Sequence, residues 1–210
     1  MSGTETSKAY LWFDTEFTSL DLDRARLLQV ALLGTDVNLD PLTPEDQGIN
    51  LFIRLEEGTE VSSWLTDNLP DLITTCRSSQ AVPEKEAGER MIEYVDGLFG
   101  PPAEEVRARP VLAGNSVHSD WFLARRFYPE LCRRLHYRHL DVSALKLQWF
   151  DWLDGEPFDK ENRDRVLEYL PFPGHHLPDR THDAYYDIHA SIAELNFYRK
   201  RLLTHRPDTP

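Results

Sequence analysis

The stretch "LWFDTEFTSLD", Leu11 to Asp21, sets an apolar run directly against two acids. Tyr10–Phe13 reads as a buried strand, with Asp14 and Glu16 at its end. Side chains along a strand alternate, so residues two apart point the same way with Cα atoms about 6.5–7 Å apart. Two like charges held together at the end of an apolar strand repel each other and lose hydration. A divalent cation, a nearby arginine or open exposure to water would each compensate. With 36 acidic residues in 210, a D-x-E triplet also arises by chance, so the motif alone decides nothing. Its partners have to come from the rest of the chain.

Length and composition narrow the field. A chain of 210 residues fits a single domain with a sizeable core over 1–210, and 40% apolar content with five Trp suits a soluble globular protein. No run approaches the roughly 18 apolar residues of a membrane span, so no membrane partner is expected. The opening "MSGTETSKAY" lacks the basic-then-apolar pattern of a signal peptide. Cys76 and Cys132 are too few for a disulfide framework, which makes a cytoplasmic location the expectation. A net charge of −13 argues against a broad, sequence-independent grip on long nucleic acid. It leaves room for a small anionic substrate held by metal ions and a few local donors.

Along the chain, "LLQVALLGTDV" (Leu27–Val37) and "INLFIRL" (Ile49–Leu55) are β-rich runs separated by a turn-like segment. With Tyr10–Phe13 they suggest an antiparallel meander. Helical patterns follow over Ser63–Thr75 and Glu84–Leu98, the second with an apolar stripe of Met91, Ile92, Val95 and Leu98. Val111–Asn115 reads as a short buried strand, followed by a helix capped by Ser119 and running through Leu131. "YRHLDV" is a further strand, Ser143–Trp152 a helix, and 151–181 a polar, Pro-rich, insertion-like segment. A last helix runs from about Asp183 to Leu203, and flexible tails are expected over about 1–8 and 204–210. Strands first, then strands alternating with helices, predict an α/β sheet of about five strands.

Further acids stand where they could join the first two. Asp120 lies in the first turn of the helix after Val111–Asn115, at a strand-to-helix junction where active-site groups gather. An acid there is commonly no more than a partner for the helix dipole. His182 and Asp187 are five apart, about 140° around an ideal helix, and would not share a face inside one. If Asp183 caps the helix, His182 lies in the preceding loop and can fold over a site that Asp187 enters from the helix. Either residue alone could equally be an ordinary surface group.

Taken in order, "FDTEFTSLD", "GNSVHSDWFL", "HYRHLDVSALK" and "HDAYYDIHASIAELNFYR" resemble the motifs of the DEDDh 3′→5′ exonucleases, and within them oligoribonuclease. The spacing H-x-A-x-x-D, here His182, Ala184 and Asp187, is a far sharper signal than D-x-E. The resemblance implies an RNase H-like fold with a mixed five-stranded sheet flanked by helices. It implies two Mg²⁺ or Mn²⁺ ions held by Asp14, Glu16, Asp120 and Asp187, with His182 as general base. Hard oxygen ligands suit these ions, and the scarcity of Cys argues against a thiolate zinc site. Two such ions can activate water and stabilise a leaving 3′-oxygen, and an imidazole with an ordinary pKa near 6.5 can accept the water's proton.

The same resemblance implies a closed pocket for the end of a short single-stranded RNA or a dinucleotide. Leu20 would wedge between bases and Trp64 would stack on one. Ser116, Arg138 and Ser143 would cap a 5′ phosphate together with Tyr137 from the second subunit of a homodimer. Arginine and hydroxyls grip phosphate, and aromatic rings stack on bases; Leu20 and Tyr137 could equally be packing residues. The chain departs from the family pattern at Ser19 in place of Gly, at Leu69 in place of a His, and at Ala144 in place of Thr. The span from Asp141 to His182 is also longer than usual, and these departures bear on dinucleotide preference. Two other functions compete: a DEDDh enzyme trimming single-stranded DNA or longer RNA ends, and a catalytically silent nucleotide-binding protein on the same fold.

Overall fold

The computed structural model describes residues 9–44, 47–179 and 182–202. The tails expected at 1–8 and 204–210 lie outside the described residues. The sheet has five strands in the order β3-β2-β1-β4-β5. The strands are β1 (Ala9–Phe17), β2 (Leu27–Asp36), β3 (Ile49–Phe52), β4 (Val111–Gly114) and β5 (His139–Asp141). The first three form the expected antiparallel meander, whereas β4 and β5 run parallel to β1. Parallel neighbours need crossover connections, and the helices between β3, β4 and β5 supply them.

β1 does not end at Phe13. It continues through both acids to Phe17, because β2 keeps pairing with it there, Asp14 opposite Ala31 and Glu16 opposite Gln29. On its other side β4 pairs only as far as Trp12 opposite Ala113. Beyond that point β1, carrying the acids, has one neighbouring strand instead of two. β4 leaves close to β1 at Gly114, where an added Cβ would lie 3.0 Å from the Phe13 carbonyl oxygen and 3.3 Å from Val117 Cγ1.

Alternation along β1 sorts its side chains between two cores. Trp12, with Ala31 and Leu33 of β2, packs against α8 (Ala184–Leu202) and α7 (Arg163–Tyr169). Leu11 and Phe13 pack on the other face with Leu32 and Leu112, against α3 (Glu84–Phe99) and α4 (Val117–Phe127). In α3, Met91 and Val95 are buried as the stripe predicts, while Ile92 and Leu98 are half-buried. The segment 151–181 is less polar in place than in sequence. Phe158, Val166, Tyr169, Leu170 and Leu177 are all buried in the Trp12 core.

Four helix boundaries differ from the sequence reading. Ser63–Thr75 is two helices, α1 (Ser63–Asn68) and α2 (Pro70–Cys76), because a proline disfavours helical backbone in the residue before it and Leu69 sits at φ −128°, ψ 47°. α4 begins at Val117, two residues ahead of the expected Ser119 cap, with Ser116 in the capping position. It stops before Tyr128, and Pro129 opens a separate turn, α5 (Pro129–Cys132). α6 (Val142–Leu147) gives way to a π-helical turn over Gln148–Trp152.

Candidate active site

The parallel strands β1, β4 and β5 bring their C-terminal ends to one edge of the sheet, where open α/β sheets carry ligand sites. Asp14 and Glu16 share the face of Trp12 and therefore look toward α8. Asp187, in the first turn of α8, comes down to meet them. The helix N-terminus is fixed from two sides. Asp183 Oδ1 accepts from the Tyr185 and Tyr186 amides at 2.9 and 3.3 Å, and Gln29 Oε1 accepts from the Ala184 amide at 3.1 Å. His182 precedes this cap in the left-handed region at φ 57°, so its ring is not carried round the helix away from Asp187. The donor atoms of Glu16, His182 and Asp187 all lie within 4.8 Å of one another.

Asp120 arrives from the opposite side. Thr15, between the two acids of β1, faces the α4 side of the sheet, and its hydroxyl donates to Asp120 Oδ1 at 2.7 Å. The middle residue of D-T-E thus orients a third carboxylate. Sequence reasoning passed over Thr15, although its alternation with Asp14 and Glu16 was the available signal.

These carboxylates are held unwillingly. Burial, with added repulsion from Asp120, Asp187 and Glu16, holds the Asp14 carboxyl well above the ordinary range. Burial and then Asp187, Asp183 and Asp120 push Glu16 up to about 8. Burial raises Asp120 to about 7 even though the Thr15 hydrogen bond pulls the other way. Asp14, Glu16 and Asp120 do not all stay ionised together near neutral pH without added positive charge. Hard carboxylate oxygens with one imidazole at the rim are a donor set that fits Mg²⁺ or Mn²⁺.

A second cluster lies at the neighbouring ends of β4 and β5. The Ser116 amide donates to Asp141 Oδ1 and to Ser143 Oγ, each at 3.0 Å, and the two serine hydroxyls are 3.2 Å apart. Ser143 Oγ also reaches Asn115 Oδ1 at 3.4 Å. Asn115 Nδ2 in turn donates to Ser191 Oγ at 3.2 Å and to the buried Glu194 Oε2 at 2.8 Å. Asn115 and Glu194 were not singled out from sequence, though both lie inside the recognised blocks. Trp64 is half-exposed on α1 and meets the His182 ring edge-on at 5.4 Å. Leu20 is 92% exposed on the loop after β1. Tyr137 is exposed, its ring stacked on His136 at 4.4 Å with the Arg138 guanidinium 5.4 Å from its centre. Among the described residues, no hydrogen bond or ion pair joins Tyr137 or Arg138 to the acidic cluster.

The exonuclease family RNase_T matches residues 11–195, a span that includes every acid of this site. The chain belongs to the RNase_T exonucleases. It is therefore a hydrolase of the DEDDh 3′→5′ exonuclease group. An oligoribonuclease of Francisella tularensis subsp. tularensis is 31% identical over 194 residues, covering 92% of this chain and 96% of its own length. The fold recurs in exonuclease I from Methylocaldum szegediense, with a TM-score of 0.60 at 19% identity over 92% of this chain and 41% of that longer one. It recurs also in S. pombe Pop2p, solved in a Mg²⁺- and Mn²⁺-bound form, with a TM-score of 0.61 at 14% identity over 95% of this chain and 86% of that one. No helix among the described residues is long and apolar enough to cross a membrane.

One member of this exonuclease's acidic cluster was invisible in sequence. Lys160, in the 151–181 segment, places Nζ 3.1 Å from Asp187 Oδ1. The Tyr186 hydroxyl donates to the Lys160 carbonyl at 2.8 Å and fixes the backbone beside the site. A lysine in an irregular segment, 27 residues before its partner, carries no motif. Only the packing of Phe158 and α7 on α8 brings it here.

Proposed function

We propose that this exonuclease is a metal-dependent exoribonuclease that degrades short oligoribonucleotides, from dinucleotides upward, to nucleoside 5′-monophosphates. The observation that carries the reading is the convergence of Asp14, Glu16, Asp120 and Asp187 with His182 at one sheet edge. The four carboxylates are the ligands for two Mg²⁺ or Mn²⁺ ions, which supply Lewis-acid stabilisation of charge and a nucleophilic water. His182, at the rim and with its ring outside the helix, accepts the proton of the attacking water. Trp64, half-exposed and in T-shaped contact with the imidazole, stands beside it as the ring on which a base stacks.

Ser116 and Ser143 present paired hydroxyls beside the Ser116 amide, a set suited to a terminal 5′ phosphate with Arg138 as its counter-charge. Leu20, exposed on its loop, is the wedge between bases. Tyr137, held outward between His136 and Arg138, reaches the pocket of a second copy in a homodimer. The exposed apolar residues Leu147, Phe150, Trp152 and Leu153 offer such a dimer a dry surface. The name of the Francisella relative supports the preference for short RNA. Turnover of 5′-labelled RNA with Mg²⁺ and with excess EDTA tests the proposal, and full activity in EDTA refutes it.

One observation favours trimming of longer 3′ ends as a second reading. An open cavity of about 730 Å³ is lined by Ser19 and Asp21, on either side of Leu20, and by Arg24, Arg26 and Ser62. It offers room for further nucleotides, although Asp21, Glu56 and Glu60 outnumber its two arginines and Arg24 is paired with Glu60 at 3.3 Å, and a length series separates the two readings.

A further inference from the structure

Neither the motifs nor the substrate contacts give Lys160 a task, yet its charge falls within the acidic cluster. It pairs with Asp187 and also works against the repulsion that burdens Asp14 and Glu16. Its backbone is pinned by Tyr186, and Phe158 two residues earlier is buried, so the ammonium cannot drift far. The side chain itself is 41% exposed and can rotate within that tether. Four carboxylates with one lysine carry three negative charges. Two divalent ions overshoot this by one positive charge, which a single phosphodiester neutralises. Without the lysine the same loaded site would be neutral before substrate arrives and negative after.

We infer that Lys160 is a tethered counter-charge that competes with a divalent cation for Asp187 and turns to the substrate phosphodiester when both are bound, so that metal and substrate bind cooperatively. The inference rests on the metal reading of the site above. Competition follows from geometry: Asp187 Oδ1 cannot give its full charge to a metal while it holds an ammonium at 3.1 Å. Coupling follows from charge, since a phosphodiester draws the ammonium off Asp187 and frees that oxygen. Lys160 acts here on the affinity of the site for its ligands.

The experiment is calorimetric titration of Mn²⁺ into the full chain, alone and with saturating adenosine 5′-monophosphate. Wild type, Lys160→Gln and Lys160→Arg are compared, with folding followed by circular dichroism. Lys160→Gln should bind Mn²⁺ about 3–10-fold more tightly than wild type in the absence of nucleotide, the scale of a half-exposed ion pair beside buried acids. The tightening of Mn²⁺ by the nucleotide, present in wild type, should shrink at least by half in this variant. Lys160→Arg, which keeps the charge, should behave as wild type. Folded Lys160→Gln protein with unchanged or weaker Mn²⁺ affinity overturns the inference. Wild-type protein that binds no Mn²⁺, or Asp187→Asn protein that binds it equally well, overturns the metal reading itself.

Discussion

Replacing Asp14 by Asn should abolish hydrolysis and, in metal-free protein, raise stability. Asp14 is half-buried on β1, its carboxyl held well above the ordinary range by burial and by Asp120, Asp187 and Glu16, with Lys160 opposing. At an effective dielectric of 20, a like-charge pair about 6 Å apart costs roughly 3 kcal/mol. Protonation already relieves part of this near neutral pH, and Lys160 offsets part of the rest. A net gain of about 1–3 kcal/mol therefore remains for the amide at pH 8, or about 3–9 °C in Tm for a chain of this size. The gain should shrink as pH falls and vanish only near pH 4, where the carboxyls of the unfolded chain carry their protons as well. Saturating Mg²⁺ should reverse the order, because wild type then binds an ion that the variant holds poorly. Differential scanning calorimetry in EDTA and in Mg²⁺ at the two pH values reads all of this. An Asp14→Asn Tm in EDTA at pH 8 below wild type would refute the repulsion argument, and undiminished cleavage would remove Asp14 from the site.

Three further outcomes are expected. Metal-free wild-type protein should lose stability, by several kcal/mol, as pH rises from about 5 to about 8: Glu16 at about 8 and Asp120 at about 7 keep protons in the folded state that unfolded carboxyls release near 4. Saturating Mg²⁺ should flatten that slope, and a Tm that instead climbs with pH in EDTA would contradict it. His182→Ala should lower kcat by roughly 10²–10⁴-fold with metal binding largely kept, whereas calorimetric loss of metal binding would make His182 a ligand. Thr15→Val, which removes the 2.7 Å hydrogen bond to Asp120, should weaken metal affinity by about 10-fold with little change in Tm, and unchanged affinity would leave Thr15 without a role.

How legible the molecule was in its sequence depended on whether the signal was local. The meander and α3 were readable because alternation and 3.6-residue stripes are written in neighbouring residues. The true length of β1 was not, because what extends it past Phe13 is continued pairing with β2, while the polar residues there suggest an end. The start of α4 was misplaced for a related reason: Ser119 has a capping side chain, but Ser116 takes the position in left-handed backbone with no side-chain cap bond. His182 and Asp187 were separable by helix geometry alone, and the Asp183 cap resolved them as that geometry required. Lys160 and the Asn115–Glu194 contact are tertiary, made by segments far apart in the chain, and no local pattern announces them.

The most direct test of the short-RNA, metal-dependent activity is kcat/KM in Mg²⁺ for 5′-phosphorylated RNA of two, five and twenty nucleotides. On the proposed reading, Ser116, Ser143 and Arg138 hold a 5′ phosphate, which lies within reach of the scissile bond only in the shortest substrates. Its charge-assisted contacts are worth about 1.5–3 kcal/mol, or about 10–100-fold. The two- and five-nucleotide RNAs should therefore be cleaved at least 10-fold more efficiently than the twenty-mer, with all activity lost in EDTA. Equal efficiency across the series, or a preference for the twenty-mer, would contradict the short-RNA assignment and leave a general 3′-end exonuclease in its place.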